Sequence, residues 1–224
     1  MFRWEKDLVQ AFELVSEKFL TDILQDIPEH SFFLEEFDST YGVADIVLGT
    51  YAKKPELNRP PLDVNWIAPL RSWGDGDIVT SKDFIERFSV SGSTASRKIR
   101  EYIDAYFWEP VSHGKYKAIK RYDLLTDFVI AIEAKLKNWK RAIIQARCYR
   151  RYSNYSFVLL DEAYARPAIK SIDMFKRANV GLITMSSKDS YIIHWTPEYK
   201  DTSENFHYLR LNETLYQDSI TISS

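Results

Sequence analysis

The stretch AIEAKLKNWKRAIIQARCYRRY, residues 131–152, decides the fold. Read as a strand continuing from Phe128, it points Val129, Ala131, Glu133, Lys135 and Lys137 to one side and Phe128, Ile130, Ile132, Ala134 and Leu136 to the other. Both faces begin apolar, the pattern of a central strand covered on both sides. One face then turns charged. From Trp139 the period changes, and Trp139, Ala142, Ile143 and Ala146 form the apolar stripe of a helix. A strand running straight into a helix predicts an α/β chain, with a sheet covered by helices.

The flanks extend this pattern. Residues 3–25 carry Leu8, Ala11, Phe12, Val15, Phe19 and Ile23 at helical spacing. SFFLEEF and YGVADIVLGTY read as two strands joined by a turn at Ser39–Gly42, and KKPELNRPPLD (53–63), with three prolines, reads as a linker. After LTDFVIAIEAKLK and the helix at 139–152 come a strand SFVLLDE, a helix over 167–178, and strands GLITMSS and SYIIHWT. Residues 200–224 read as polar and irregular, with at most a short helix or strand. The predicted domains are therefore 1–52 with 122–224, interrupted by 53–121.

Charge is unevenly spread. The 224 residues have a formal net charge of -2, yet residues 1–50 hold three basic side chains against eleven acidic ones, and residues 81–121 hold nine against five. Bulk charge thus names no partner, while its distribution says that different regions face different things. The single cysteine, Cys148, excludes an intramolecular disulfide and reads as a packing residue; no leader or membrane-length apolar run is evident. The expectation is a soluble, cytoplasmic protein with no membrane partner.

Within the interruption, SKDFIERF and TASRKIREYIDAY read as two helices joined by SVSGS, with Ser81 and Ser93 or Thr94 as N-caps and Gly92 in the turn. The second helix places Ala95, Ile99, Tyr102, Ile103 and Tyr106 on one face, and Thr94, Arg97, Lys98 and Glu101 mostly on the other. WEPV and KYKAIKRY form a hairpin with His113-Gly114 at its tip, and DVNWIAPLRSW reads as a preceding helix. This succession resembles a winged helix-turn-helix domain, whose second helix enters the DNA major groove while the wing meets the backbone. The DNA-contact candidates that follow are Ser93, Thr94, Ser96, Arg97 and Arg100, with Lys115 and Lys117 on the wing. Winged helices also serve as protein–protein spacers, so a protein partner or a second copy of the chain stays open.

The chemistry sits in the outer segments. Val43, Asp45 and Val47 share a strand face, leaving Asp45 alone among apolar neighbours. A buried carboxylate without a partner is costly, so Asp45 requires a cation. If its strand lies beside that of Glu133, the two carboxylates would share a divalent metal with Lys135 next to it, and hard oxygen ligands suit Mg²⁺ or Mn²⁺. Glu35 and Glu36 read as the polar face of their strand. The histidines at 30, 113, 194 and 207 show no metal-ligand spacing, and neither a serine nucleophile elbow nor a glycine-rich phosphate loop is present.

Gly42-Val43-Ala44-Asp45, Glu133-Ala134-Lys135 and Gln145-Ala146-Arg147-Cys148-Tyr149 together resemble the G-h-x-D, E-x-K and Q-h-x-x-Y signatures of the PD-(D/E)XK nuclease superfamily, in its RecB-like branch. The resemblance covers roughly residues 1–50 and 122–195. It implies a restriction-endonuclease-like core with an inserted winged-helix domain, acting as a metal-dependent hydrolase of DNA. It further implies that Asp45, Glu133 and the Ala134 carbonyl bind Mg²⁺ (or Mn²⁺), that Lys135 orients the attacking water, and that Gln145 and Tyr149 belong to the site. A glutamate in the first helix reaches the metal in several branches, which makes Glu5 a candidate, equally explained as an acid in a helix's first turn. Arg141 continues the Gln145–Tyr149 flank and becomes a candidate backbone contact. Two rival readings remain: a DNA-binding regulator on a nuclease scaffold, and an RNA nuclease or a nuclease subunit whose winged helix binds a protein.

Overall fold

The computed structural model describes residues 1–40, 42–52, 58–187, 189–203 and 205–223. In chain order its elements are α1 (Glu5–Glu13), α2 (Ser16–Leu24), β1 (Ser31–Asp38), β2 (Val43–Tyr51), a 3-10 turn (Val64–Trp66), α3 (Ile67–Arg71), β3 (Ile78–Thr80), α4 (Ser81–Phe88), α5 (Gly92–Asp104), β4 (Trp108–Ser112), β5 (Lys115–Ala118), β6 (Thr126–Lys135), α6 (Trp139–Tyr149), β7 (Tyr155–Asp161), α7 (Glu162–Lys170), α8 (Ile172–Ala178), β8 (Gly181–Ser187), β9 (Ser190–Trp195) and α9 (Phe206–Ser223). They form two compact units, Met1–Lys54 with Thr126–Tyr208 and Pro55–Leu125 with Leu209–Ser224.

The first unit is α/β, a mixed six-stranded sheet of order β1-β2-β6-β7-β8-β9 flanked by helices. β6, β7 and β8 run parallel, while β1–β2, β2–β6 and β8–β9 pair antiparallel. A parallel neighbour demands a crossover, and α6 supplies the one between β6 and β7. The two strand faces read from the sequence are both buried. Ile130 and Ile132 join Leu8, Phe12 and Phe19 of α1 and α2 in one cluster, and α6 buries Trp139, Ala142, Ile143 and Ala146.

Local chemistry shifts several boundaries. Where the spacing predicts one helix over 3–25, the chain breaks after Glu13, because the Ser16 hydroxyl donates to the Glu13 carbonyl at 2.7 Å and ends the first ladder. The helix predicted over 167–178 begins at Glu162, since the Asp161 carboxylate accepts from Ala163 N–H at 2.9 Å and caps it. β6 stops at Lys135, so Lys137 leaves the strand face it was assigned to and lies over the Tyr164 ring, 4.2 Å from its centroid. The turn predicted at Ser39–Gly42 includes residue 41, which lies outside the described residues.

The second unit has a three-stranded sheet of order β3-β5-β4 and a core of Leu70, Val79, Phe84, Ile99, Tyr102 and Trp108. β3 is too short to show alternation, and the sequence did not reveal it. The N-caps are Thr80, with Asp83 completing a capping box, and Ser91. Ser81, Gly92, Ser93 and Thr94 therefore sit inside first turns, one to three residues from the positions assigned to them. Lys98, predicted on the polar face, is buried; its Nζ lies 2.7 Å from both Asp63 and Glu101.

Residues 53–57 of the predicted linker lie outside the described residues, but from Arg59 onward it is packed. The Arg59 guanidinium donates twice to the Glu213 carboxylate, at 3.0 and 2.6 Å, and that carboxylate also accepts from Leu62 N–H and the Tyr122 hydroxyl. Glu213 belongs to α9, an 18-residue helix where the sequence reads as irregular. From Leu209 on, that helix groups with residues 55–125 and not with the strand-rich domain, a correction to the predicted boundary at 122–224. Asn212 and Glu213 are both fully buried, so the helix's inner stripe is partly polar and shows no clean apolar period. Removing one partner of a buried ion pair leaves the other charge unsolvated. Glu213→Ala should therefore lower unfolding stability by about 3–5 kcal/mol in a urea titration. A cost under about 1 kcal/mol would mean that Arg59 finds water instead.

Candidate active site at the ends of the central strands

Two adjacent strands carry the site. Gly42 enters β2 with φ of 138°, a value that L side chains rarely adopt. This entry presents the Val43 carbonyl to the Tyr149 hydroxyl of α6, which donates to it at 2.7 Å. β2 and β6 pair with Ile46 opposite Ile132, so the next residues outward are Asp45 and Glu133. There the backbone ladder between the strands ends. The Ala134 N–H donates to Asp45 Oδ2 at 2.7 Å instead.

Lys135 closes the cluster. Its Nζ lies 2.8 Å from Glu133 Oε1, 2.9 Å from the Ala134 carbonyl oxygen, 3.2 Å from Glu5 Oε2 and 3.4 Å from Asp45 Oδ2. An ammonium group has three N–H donors and no acceptor, so four oxygens saturate it. These are the four groups that the resemblance places around a divalent cation. Side-chain exposure rises from 1% at Glu133 through 16% at Lys135 and 30% at Asp45 to 48% at Glu5, so the cluster is closed at Glu133 and open to solvent at Glu5.

Burial dominates the electrostatics. It pushes the Asp45 carboxyl above its ordinary range against the opposing pull of Lys135. Glu133 is also raised by burial, with Lys135 and Tyr149 opposing and the charge of Asp45 adding. For Lys135 burial acts downward, yet the hydrogen bond to Glu133 and the charges of Asp45, Glu133 and Glu5 overcome it, and the ammonium is held above its ordinary value. Tyr149 meets Glu133 Oε2 as well as the Val43 carbonyl, and its phenol is raised by burial and by that carboxylate. One hydroxyl proton cannot fully serve two acceptors, so Tyr149 only partly offsets the effect of burial on Glu133.

Gln145 and Arg141 on α6 share no hydrogen bond or ion pair with this cluster among the described residues. Gln145 is half-buried with its Oε1 lacking a hydrogen-bond partner, and Arg141 is exposed on α6. In the second unit Ser93, Ser96, Arg97, Arg100 and Lys115 are exposed, and the Thr94 hydroxyl accepts from Ser91 at 3.0 Å. Lys117 faces Glu109 at 3.8 Å with its side chain 45% exposed, a pair of little energetic weight. Tyr152, absent from the predicted set, is fully buried with its ring centroid 6.1 Å from that of Tyr149 and its hydroxyl unpartnered. Its i+3 spacing from Tyr149 was the available signal.

As placed, no group of three or more His, Cys, Asp or Glu side chains among the described residues has metal-site geometry. The reason is visible in the distances. The oxygens stand 2.8–3.4 Å from an ammonium nitrogen, wider than the roughly 2.0–2.6 Å bonds of a hard cation. The donor set, carboxylates and a carbonyl, suits Mg²⁺ or Mn²⁺; its present spacing suits Lys135.

The raised Glu133 carboxyl gives a pH test. A folded-state value above the unfolded one means that protonation favours folding, and the benefit is lost as pH rises through the folded value. Metal-free Glu133→Gln should therefore gain on the wild type in urea-unfolding midpoint as pH rises from the ordinary carboxyl range towards neutrality. Midpoints that run parallel over that range would show that burial does not perturb Glu133.

Comparison with protein-family models, with curated proteins and with solved structures finds no match for this chain.

Proposed function

We propose that this chain is a metal-dependent nuclease that hydrolyses DNA phosphodiester bonds, on a restriction-endonuclease-like core with an inserted winged-helix domain. The observation that carries the reading is the convergence of Glu5, Asp45, Glu133 and the Ala134 carbonyl on Lys135, with Tyr149 bracing Glu133 from α6. Three separated sequence signatures thus meet at the ends of neighbouring strands. The inserted domain is supported by its order of helix, strand, two helices and hairpin, with β3 pairing to the second hairpin strand, and by the exposed Arg97 and Arg100 on α5.

Glu5, Asp45, Glu133 and the Ala134 carbonyl would hold a Mg²⁺ or Mn²⁺ ion, which supplies Lewis-acid stabilisation to a phosphoryl group. For that, Lys135 must give up these oxygens. Its freed ammonium then donates to the attacking water and offsets phosphate charge, while Tyr149 keeps Glu133 in place. Water oxygen forms the new bond to phosphorus as one of its protons passes to solvent, the P–O bond to the bridging oxygen breaks, and that oxygen takes up a proton from solvent. The test is incubation of the intact protein with linear, circular, branched and single-stranded DNA in Mg²⁺ or Mn²⁺. Cleavage that Glu133→Gln abolishes, with DNA binding nearly intact, is the expected result. Equal activity in that variant would move the chemistry elsewhere.

One observation favours the regulator reading: the Lys135 ammonium already supplies positive charge to one oxygen of each of the four groups. Calorimetry separates the two. If the site takes metal, Lys135→Met removes the competing ammonium and should tighten Mn²⁺ binding by about tenfold or more, roughly the weight of one charged hydrogen bond. Failure of both proteins to bind Mn²⁺ would favour a scaffold without catalysis.

A further inference from the structure

Residues 134–160 contain no aspartate or glutamate but seven lysines and arginines, in a chain whose formal net charge is -2. The structure sorts these bases by face. α6 turns Ala142, Ile143, Ala146 and Tyr149 inward, and its opposite face exposes Lys140, Arg141 and Arg147. Beyond the helix's last turn that face opens into a cavity of about 400 Å³, whose basic lining is Arg147, Arg150, Arg151 and Lys200. No aspartate or glutamate is among the described lining residues.

The charge there is under-compensated. Arg150 is half-buried, and its guanidinium donates to the backbone carbonyls of Asn179 (3.0 Å) and Glu198 (3.4 Å), not to a carboxylate. Burial holds it below its ordinary value, with the charge of Glu198 only partly opposing. The Lys200 ammonium donates to the Arg150 carbonyl at 2.9 Å, which fixes a second cation at the rim. Arg147 has no ion-pair partner among the described residues and points to solvent. Arg147, Arg150 and Lys200 thus bring three cations to one concavity whose described lining residues include no acid, which favours an anion there.

We propose that this cavity and the exposed face of α6 form a binding surface for the phosphate backbone of nucleic acid, separate from the Lys135 cluster and from the positions predicted on the inserted domain. It rests on the DNA reading above. From Lys140 to Arg147, both on α6, the helix rises about 10 Å, enough to follow more than one phosphate of one strand. Binding to the backbone in this way adds affinity and orientation without reading sequence.

The test is duplex-DNA binding by the full chain across a salt series, in chelator so that cleavage does not intervene. Arg147→Ala/Arg151→Ala should flatten the log–log salt slope by roughly 0.9 for each phosphate no longer neutralised, and weaken binding about fivefold or more at low salt. Arg147→Lys/Arg151→Lys should keep the slope, because counterion release follows charge. Circular dichroism of each variant checks that the fold is retained. A slope unchanged by the double alanine variant overturns the surface, and if the wild type still cleaves DNA the nuclease reading survives that loss. A flattened slope in a protein that never cleaves keeps the surface and rejects the nuclease. No binding by the wild type at low salt rejects both.

Discussion

Three carboxylates crowd around one ammonium at the ends of β2 and β6, and the site's arrangement depends on that balance. Without Lys135, Glu133 would be a buried acid beside Asp45 with only a tyrosine hydroxyl for company. Like charges at such range raise one another and would drive both towards protonation. The ammonium permits them to stay close, and in doing so it defines a position where positive charge is wanted. Glu133, the Ala134 N–H and the Ala134 carbonyl are all consecutive on β6, so the position is set by the strand's own geometry.

The strand can offer these groups because its ladder with β2 stops at Ile46–Ile132. Two residues further, with Ala134 opposite Ala44, continued pairing would have taken up the Ala134 N–H that Asp45 now accepts from. Tyr149 fills the gap from the other layer, joining the Val43 carbonyl to Glu133 and so tying α6 to both strands. α6 is consequently two-sided. Its inner face is part of the core and of the candidate site, and its outer face exposes Lys140, Arg141 and Arg147, none of which has an ion pair among the described residues.

The second unit shows the opposite use of charge. Its excess of basic residues is partly internal: Lys98 neutralises Asp63 and Glu101, and Arg59 is enclosed by Glu213 and the rings of Tyr216, Tyr122 and Phe107. Such pairs cost desolvation and contribute specificity of packing more than net stability. Counting lysines and arginines therefore overstates what this unit can present to a polyanion. Arg97 and Arg100 on α5 and Lys115 on the hairpin remain outward, as do Lys82, Arg87, Lys120 and Arg121.

The sequence by itself determined the order of strands and helices, the two faces of β6, the glycine entering β2, and the sharing of one face by Glu133 and Lys135. These are local properties, written in periods of two and 3.6 residues and readable wherever side chains alternate between core and solvent. It could not show β3, which is three residues long, or α9, whose inner stripe contains Asn212 and Glu213. It also left Lys98 on a solvent face and read the cation beside Asp45 as a divalent metal with Lys135 next to it, where the structure puts the Lys135 ammonium itself. Only tertiary structure decided those, because the partners are remote in the chain: Glu5 and Lys135 are 130 residues apart, and Arg59 and Glu213 are 154 apart. A charge reads as solvated from its neighbours in sequence. Whether it is buried depends on an opposite charge that folding brings from elsewhere, and no periodicity records that meeting.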